Sequence, residues 1–538
     1  MQLCGACGVR CAVVSFSSLV ALMSCRVEPR VLDVSKREEQ SARFRFDPSE
    51  EGFQGPAVRW STAQQTQVGQ SSLPITPARP GSLAGYGGFD RRLFPPRLYP
   101  GSEPTVFCRP YEETESEPRV KATVLSGNLS GQEPPSDEGR RLYVLLSFDL
   151  VAVTQDVTQA LLDETNGLMV ELGLSPLGQA SFQVSATHTH SGPAGLALSP
   201  LWSAFACDSY QPSYRRLVLA AARQAIAQAV KDLRPVQPVT VHRATIDGWN
   251  NSRFAGMEVD RSAFGVLAVD GAQKVAGCLF SYPVHSTFYG PDSLRLSRDI
   301  AGWLEDEFSA GLGRLASARD AALPQGPSCS FVNGASGNAT ARLDGRTKEA
   351  YASGLVNEIL TRVEPSVAGA LAEAGSSTAG SEGVSDAATA ITVATAITVA
   401  TAISYAAVAY PLPKPNINFS ACGAALAEPF LSLPILDVLP SETKLSALRL
   451  GDDVLIFVPA ELVFEAAQVL RADAQEVLGQ NARIHFVTTA NDYSGYVVPS
   501  SRMGAKEIES CSSLFGGGHL EALRQALKRL LVSWQDGP

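Results

Sequence analysis

Ser181-Phe182-Gln183-Val184-Ser185-Ala186-Thr187-His188-Thr189-His190-Ser191-Gly192-Pro193 is the stretch on which the reading of this chain turns. The apolar run over 181–187 predicts a strand, and the Gly-Pro that follows stops it and turns the chain. Strand side chains alternate, so His188 and His190 are expected on one face at the strand end. The 538-residue chain has six histidines, so this spacing concentrates a scarce residue. Such a pair is a ready ligand or acid–base site near neutral pH.

Outward from the motif, Leu142 to Phe148 reads as a buried-type strand ending at Asp149, with helices over 154–172 and 213–233. Strand, helix, strand, helix at this spacing predicts an α/β layer fold. Residues 238–246 and 263–284 read as strands, 299–309 as a helix, 328–333 as a strand and 347–374 as a helix. A hairpin over 444–459 turns at Gly451-Asp452-Asp453. A helix over 460–478, a strand over 483–489 and a last helix over 518–534 complete the pattern.

Residues 71–538 are expected to form the folded domain. Within it, the acidic, Pro/Ser/Gly-rich stretch 109–141 reads as a surface insertion. The hexad Ala388-Thr389-Ala390-Ile391-Thr392-Val393 recurs at 394–399 and partly at 400–403. Residues 385–404 therefore read as a repeat-extended strand, with a binding ribbon as the other reading. Leu83-Ala84-Gly85-Tyr86-Gly87-Gly88 lacks the strand-and-helix setting of a phosphate loop and reads as a plain turn.

A hydrophobic content of 45% and a charged content of 18% fit an ordinary globular protein. The net charge is -10, with no basic stripe interleaved with aromatics, which disfavours nucleic-acid binding. Residues 1–25 read as an export signal: Arg10 is the only charge, and Cys11 to Met23 is apolar. Leu22-Met23-Ser24-Cys25 resembles a bacterial lipobox with Cys25 as the lipidated residue; a mis-assigned start is the alternative. Residues 26–70 read as a linker. An exported protein is expected, tethered to the membrane surface of a bacterial cell envelope through Cys25, or otherwise periplasmic or secreted. Six cysteines lie past residue 25, and their spacing leaves the pairing open.

Three further residues close or follow apolar strands: His285 in Tyr282-Pro283-Val284-His285, Glu461 in Val458-Pro459-Ala460-Glu461, and Tyr496 in Tyr493-Ser494-Gly495-Tyr496. Taken alone, His285 reads as a core or loop histidine, Glu461 as a helix N-terminal residue favoured by the dipole, and Tyr496 as packing. Taken together, two histidines and a carboxylate with an open position make a known catalytic zinc ligand set. Their placement at strand ends is where open α/β sheets carry their sites.

Ala186-Thr187-His188-Thr189-His190-Ser191-Gly192-Pro193 resembles the signature of the neutral ceramidases, zinc amidases that cleave N-acylsphingosines. The similarity continues in order through Pro283 to Thr287, Leu296-Ser297-Arg298-Asp299-Ile300-Ala301-Gly302, Pro459-Ala460-Glu461, Tyr493 to Val497 and Glu509 to Gly516, across roughly residues 70–535. The resemblance implies a mixed-sheet layered zinc-hydrolase domain. Zn2+ would be held by His188, His285, Glu461 and Tyr496. His190 would handle protons at the reacting centre, and Arg253 would contact substrate or oxyanion, a surface ion pair being the alternative. The chain stops at Pro538, so the family's C-terminal immunoglobulin-like domain is expected to be lacking.

The family's proposed serine sits in Gly-Asp/Asn-x-Ser-Pro-Asn, where this chain reads Gly337-Asn338-Ala339-Thr340-Ala341-Arg342. Thr340 keeps a hydroxyl, but its methyl crowds attack, which favours metal-activated water as the nucleophile. Ile508 stands where the family often has tyrosine. The expected activity is zinc-dependent hydrolysis of the amide of ceramide or a related N-acyl lipid. The alternatives are a lipid-anchored, non-catalytic binding protein on the same fold and a zinc amidase or esterase acting on a non-lipid substrate.

Overall fold

Strand 142–148 is apolar at nearly every position because it is covered on both sides. In the computed structural model, Leu142, Val144, Leu146 and Phe148 face helices, while Tyr143 and Leu145 face a second sheet. The structure describes residues 58–61, 66–93, 101, 107–128, 140–254, 256–317, 328–376, 397–400, 402–416, 439–503 and 508–534.

The chain order begins with β1 (Val58–Ser61), β2 (Gln67–Pro74), β3 (Arg119–Asn128) and β4 (Arg140–Phe148). Helix α1 (Gln155–Glu171) leads to β5 (Phe182–Ala186), and α2 (Pro212–Lys231) to β6 (Arg234–Thr245). Then come β7 (Asn250–Ser252), β8 (Ser262–Asp270), β9 (Val275–Ser281), α3 (Asp299–Ser317), β10 (Cys329–Phe331) and β11 (Ala339–Ala341). Helix α4 (Lys348–Ser376) is followed by β12 (Ile397–Val399), β13 (Ala402–Pro411), β14 (Glu442–Leu450) and β15 (Asp453–Phe457). The last elements are β16 (Glu461–Leu462), α5 (Phe464–Leu478), β17 (Arg483–Val487), β18 (Tyr496–Val497) and α6 (Gly518–Val532).

One mixed sheet runs β10-β9-β8-β6-β2-β3-β4-β5, with β12 pairing β6; the other runs β1-β13-β14-β15-β17. Tyr143, Leu145, Leu448, Phe457 and Val487 belong to the core between the two sheets. Helices α1 and α2 cover one half of the larger sheet's outer face, α3 and α4 the other half. Helices α5 and α6 cover the outer face of the smaller sheet. The result is an α/β/β/α layering that bears out the expected mixed α/β class. Among the described residues, two disulfides join Cys108 to Cys207 and, across the paired β9 and β10, Cys278 to Cys329.

The sheets meet at a seam. Ser185 of β5 bridges Ala490, just past β17, and Asn491 N donates to Val184 O at 2.7 Å. Asn491 Oδ1 accepts from Val184 N, and its amide donates to Gln183 and Ser446. Lys444 of β14 crosses the same seam and donates to the Gln179 and Phe182 carbonyls, both at 3.0 Å. Behind the seam, Lys121 Nζ lies 2.7 Å from Asp149 Oδ1 and 2.6 Å from Glu305 Oε1, all three at most 3% exposed. Arg298 pairs with Glu305 at 2.6 Å.

Several expected boundaries shift. Residues 109–141 are not wholly a surface insertion, because β3 lies within them and buries Val120, Ala122 and Val124 beneath the helices. The acidic, proline-rich flanks masked this alternation. The expected linker 26–70 likewise contains β1, which pairs with β13, and the start of β2, which pairs with β3. The expected strand 263–284 is a hairpin, and the helix expected from 460 starts at Phe464, leaving Glu461 in β16. The repeat is described only from Ile397 onward, where it forms β12 and the start of β13; the rest lies outside the described residues.

Two outcomes follow. Replacing Lys121 with Met leaves two buried carboxylates, Asp149 and Glu305, sharing Arg298 as their one remaining cation among the described residues, and denaturant unfolding should show a loss of about 3 kcal/mol. Lys444 is fully buried, and burial pushes its amine down to about 7. In the unfolded chain a lysine titrates near ~10.4, so between these values the unfolded state binds more protons and stability rises with pH. Unfolding curves at stepped pH should show this rise in the wild type from about 7 upward, and Lys444→Met should remove that part of the slope.

Candidate metal centre

Beyond Ala186 the chain leaves β5 and bends sharply, with His188 at φ 63°. The two motif histidines therefore share a face because of this left-handed turn, not through strand alternation. His188 Nδ1 donates to Val151 O at 2.6 Å, and a carbonyl can only accept, so the lone pair of neutral His188 sits on Nε2. His285 follows β9; its backbone N donates to Ala339 O, and its Nδ1 donates to Ser336 O at 3.2 Å. The two Nε2 atoms stand 3.0 Å apart. Two lone pairs at this distance repel unless a cation or proton lies between them. Carbonyl-anchored Nδ1 groups are the usual outer support of metal-ligating histidines.

Glu461 and Tyr496 arrive together because β16 and β18 pair in parallel with these residues in register. Glu461 Oε2 lies 3.1 Å from His188 Nε2 and 3.5 Å from His285 Nε2, and is buried with no hydrogen-bond partner among the described residues. Its other oxygen accepts from Tyr493 Oη at 2.6 Å. Tyr496 Oη stands 3.5 Å from His285 Nε2. With Zn–N near ~2.0–2.1 Å, tetrahedral ligand atoms sit about 3.3 Å apart, so this donor set fits such an ion.

His190 joins the cluster, its Nε2 3.2 Å from His188 Nε2. The candidate ligand atoms of His188, His190 and His285 all lie within 4.8 Å of one another. Burial, reinforced by neighbouring histidines and by Arg253, holds His190 and His285 well below the ordinary imidazole range. Burial would raise the Glu461 carboxyl, but His188 and the tyrosine hydroxyls hold it down. Burial and Glu461 push Tyr496 well up.

Arg253 is no surface residue of chance placement. It pairs with the fully buried Glu509 at 2.7 Å, donates to Tyr496 Oη at 3.3 Å, and donates to Gly337 O. Burial works against its charge, but Tyr496 and Glu509 raise its pKa overall. Thr340 stands in β11 opposite Asn251. Its neighbour Ala339 bonds to His285, yet among the described residues the Thr340 hydroxyl makes no hydrogen bond to the cluster. Sequence reading missed Tyr493 and Glu509 as supports. Each lay inside a segment already singled out, but only the fold shows which groups they hold.

No protein-family model matches the chain. A stretch of 135 residues is 31% identical to Neutral ceramidase A of Dictyostelium discoideum, covering 23% of this chain and 18% of that protein's length. The crystal structure of neutral ceramidase from Pseudomonas aeruginosa superposes with a TM-score of 0.63 at 16% identity, covering 88% of this chain and 75% of that one. A ceramidase complexed with C2 gives 0.62 at 16% identity, covering 88% and 76%. At that identity the two structures establish the fold. The local sequence match adds a likeness to one neutral ceramidase over about a quarter of this chain and under a fifth of that relative's length.

A centre of this build should bind one divalent metal per chain. Elemental analysis after dialysis against zinc is expected to find it in the wild type and to find most of it gone in His285→Ala. A chelator should lower the thermal midpoint of the wild type alone.

Proposed function

We propose that this protein is a zinc-dependent amidohydrolase that cleaves the amide of ceramide or a related N-acyl lipid to a fatty acid and an amine. The observation that carries the proposal is the convergence of two lone-pair nitrogens and an unpartnered carboxylate oxygen, on a fold shared with solved neutral ceramidases. His188, His285, Glu461 and Tyr496 would hold the metal. When bound, zinc polarises a carbonyl and lowers the pKa of a water towards ~7.

The chain's own groups supply the rest. Tyr493 and the Val151 and Ser336 carbonyls fix the donors. Arg253, anchored by Glu509, brings positive charge to the Tyr496 oxygen, where it would help to stabilise negative charge developing on the amide oxygen. His190 faces the same centre and is placed to move a proton. In the overall reaction the oxygen of water bonds to the carbonyl carbon, the C–N bond breaks, and a proton passes to the leaving amine. Residues 1–25, which lie outside the described residues and read as an export signal with a lipobox-like end at Cys25, would put this action in the cell envelope.

Turnover of a fluorescent N-acylsphingosine tests the proposal. His190→Ala is expected to lower kcat by about 10²–10⁴-fold while keeping its metal. His188→Ala should lose both metal and turnover. A zinc-loaded wild type that hydrolyses small amides or esters but no N-acyl lipid would move the assignment to a non-lipid substrate. A zinc-loaded wild type inert on all of them would leave a binding protein.

A further inference from the structure

His188 and His285 are each aimed by an Nδ1–H donated to a carbonyl, but the buried His190 Nδ1 has no partner among the described residues. The terminal torsion of an imidazole is broad and roughly two-fold, so something else must hold this ring. The loop Leu83-Ala84-Gly85-Tyr86-Gly87-Gly88 lies against it. At Gly85, with φ +119°, an added Cβ would stand 2.8 Å from His190 Cγ and Nδ1. The loop is pinned there: Ala84 N donates to Gly192 O and Gly85 N to Ala206 O, both at 3.0 Å.

The Tyr86 ring packs on the imidazole with centroids 4.7 Å apart and planes tilted by 53°. Its hydroxyl donates to Tyr289 O at 3.2 Å, in the segment that follows His285. The buried Arg91 guanidinium lies 5.2 Å from the Tyr86 centroid and donates to Pro291 O and His190 O. Tyr86 is thus fixed at both ends and spans the two segments that carry the histidines.

We propose that the 83–88 loop is a cradle that orients His190, with Tyr86 as the positioning residue. This rests on the reading of His190 as the proton-handling group. The Gly85 backbone blocks one swing of the imidazole and the Tyr86 ring blocks the other. Packing thereby does for His190 what hydrogen bonds do for its two neighbours, and leaves Nε2 facing the centre.

The test compares the full-length wild type with Tyr86→Phe, Tyr86→Leu and Tyr86→Ala. With six histidines in the chain, ¹⁵N-imidazole NMR resonances can be assigned, His190→Ala identifying the signal of interest. The wild type should give one sharp His190 signal. Tyr86→Leu and Tyr86→Ala should broaden or split it while leaving the His485 signal in place, and Tyr86→Phe should restore it. On an N-acylsphingosine, Tyr86→Leu should lower kcat about tenfold or more, with KM within about twofold. If Tyr86→Ala does not melt cooperatively, Tyr86→Leu, which keeps more of the volume, decides. An unchanged His190 signal in folded Tyr86→Leu would overturn the cradle. A wild type inert on N-acyl lipids would instead defeat the functional reading, and the NMR comparison would still decide the cradle.

Discussion

The seam between β5 and the chain past β17 is the constraint on which the site depends. Each strand is the edge of its own sheet, and an edge leaves backbone groups unpaired. The Ser185–Ala490 bridge and the Asn491 side chain satisfy them. His188 lies two residues beyond β5, while Tyr493 lies in the loop after β17 and Tyr496 opens β18. A slip of one residue at the seam would turn every side chain on it to the opposite face. The seam is also where the backbone is unusual: His188, Thr489 and Asn491 all have positive φ, at 63°, 50° and 66°. For a β-branched residue such as Thr489 this costs on the order of 1–3 kcal/mol. Bonds from Thr489 N to Ala460 O and from its hydroxyl to Ala186 O hold it there, tying the segment before Glu461 to the strand before His188.

Behind the seam the charges are arranged to stiffen rather than to react. Asp149 follows β4, is matched by Lys121, and lies 3.4 Å from the hydroxyl of Thr187, the residue before His188. Glu305 caps the buried N–H of Phe331 and joins the same group through Lys121 and Arg298. Asp299 accepts from the backbone N–H groups of Phe288 and Tyr289 and so fixes the turn after His285. Among the described residues, the Ser297-Arg298-Asp299 segment makes no hydrogen bond or ion pair to the candidate donor atoms. Its chemistry is to hold the loops that carry them.

The parts of this arrangement that were legible in the sequence are those whose information is local. The strand at 182–186, the helices at 155–171 and 212–231, and the hairpin around Gly451 announce themselves by periodicity and turn residues. His188, His285, Glu461 and Tyr496 were each visible as chemical residues at the close of apolar runs. Their convergence was implied by the family resemblance and not by any local pattern, because it is set by a two-residue parallel pairing of β16 with β18 and by a seam between sheets. Strand β3 was hidden for the opposite reason: its alternation is regular, but charged, proline-rich flanks dominate the composition around it. Glu509 was quoted within a motif, yet its part as the buried counter-ion of Arg253 appears only when residues 256 positions apart are brought to 2.7 Å. The glycine loop at 83–88 read as a plain turn because a turn against solvent and a turn against an imidazole have the same sequence pattern.

The donor set and the surroundings of the reacting group are built by different parts of the chain, and they follow the family pattern unequally. The donors are locked: each Nδ1 has its carbonyl, Glu461 has Tyr493, and Tyr496 has Arg253. The departure from the pattern, Thr340, sits on a short strand in a segment whose backbone serves the site through Ala339 O and, just before the strand, Gly337 O. Its hydroxyl forms no hydrogen bond to the cluster among the described residues. A threonine can replace serine there without disturbing those two carbonyls, because both are backbone groups and the added methyl rises from a half-buried position. The segment can therefore keep its structural duty while losing a serine. A hydrolysis in which water supplies the attacking oxygen does not require that serine. That asymmetry keeps the candidate donor set whole and places the divergence in the segment beside it.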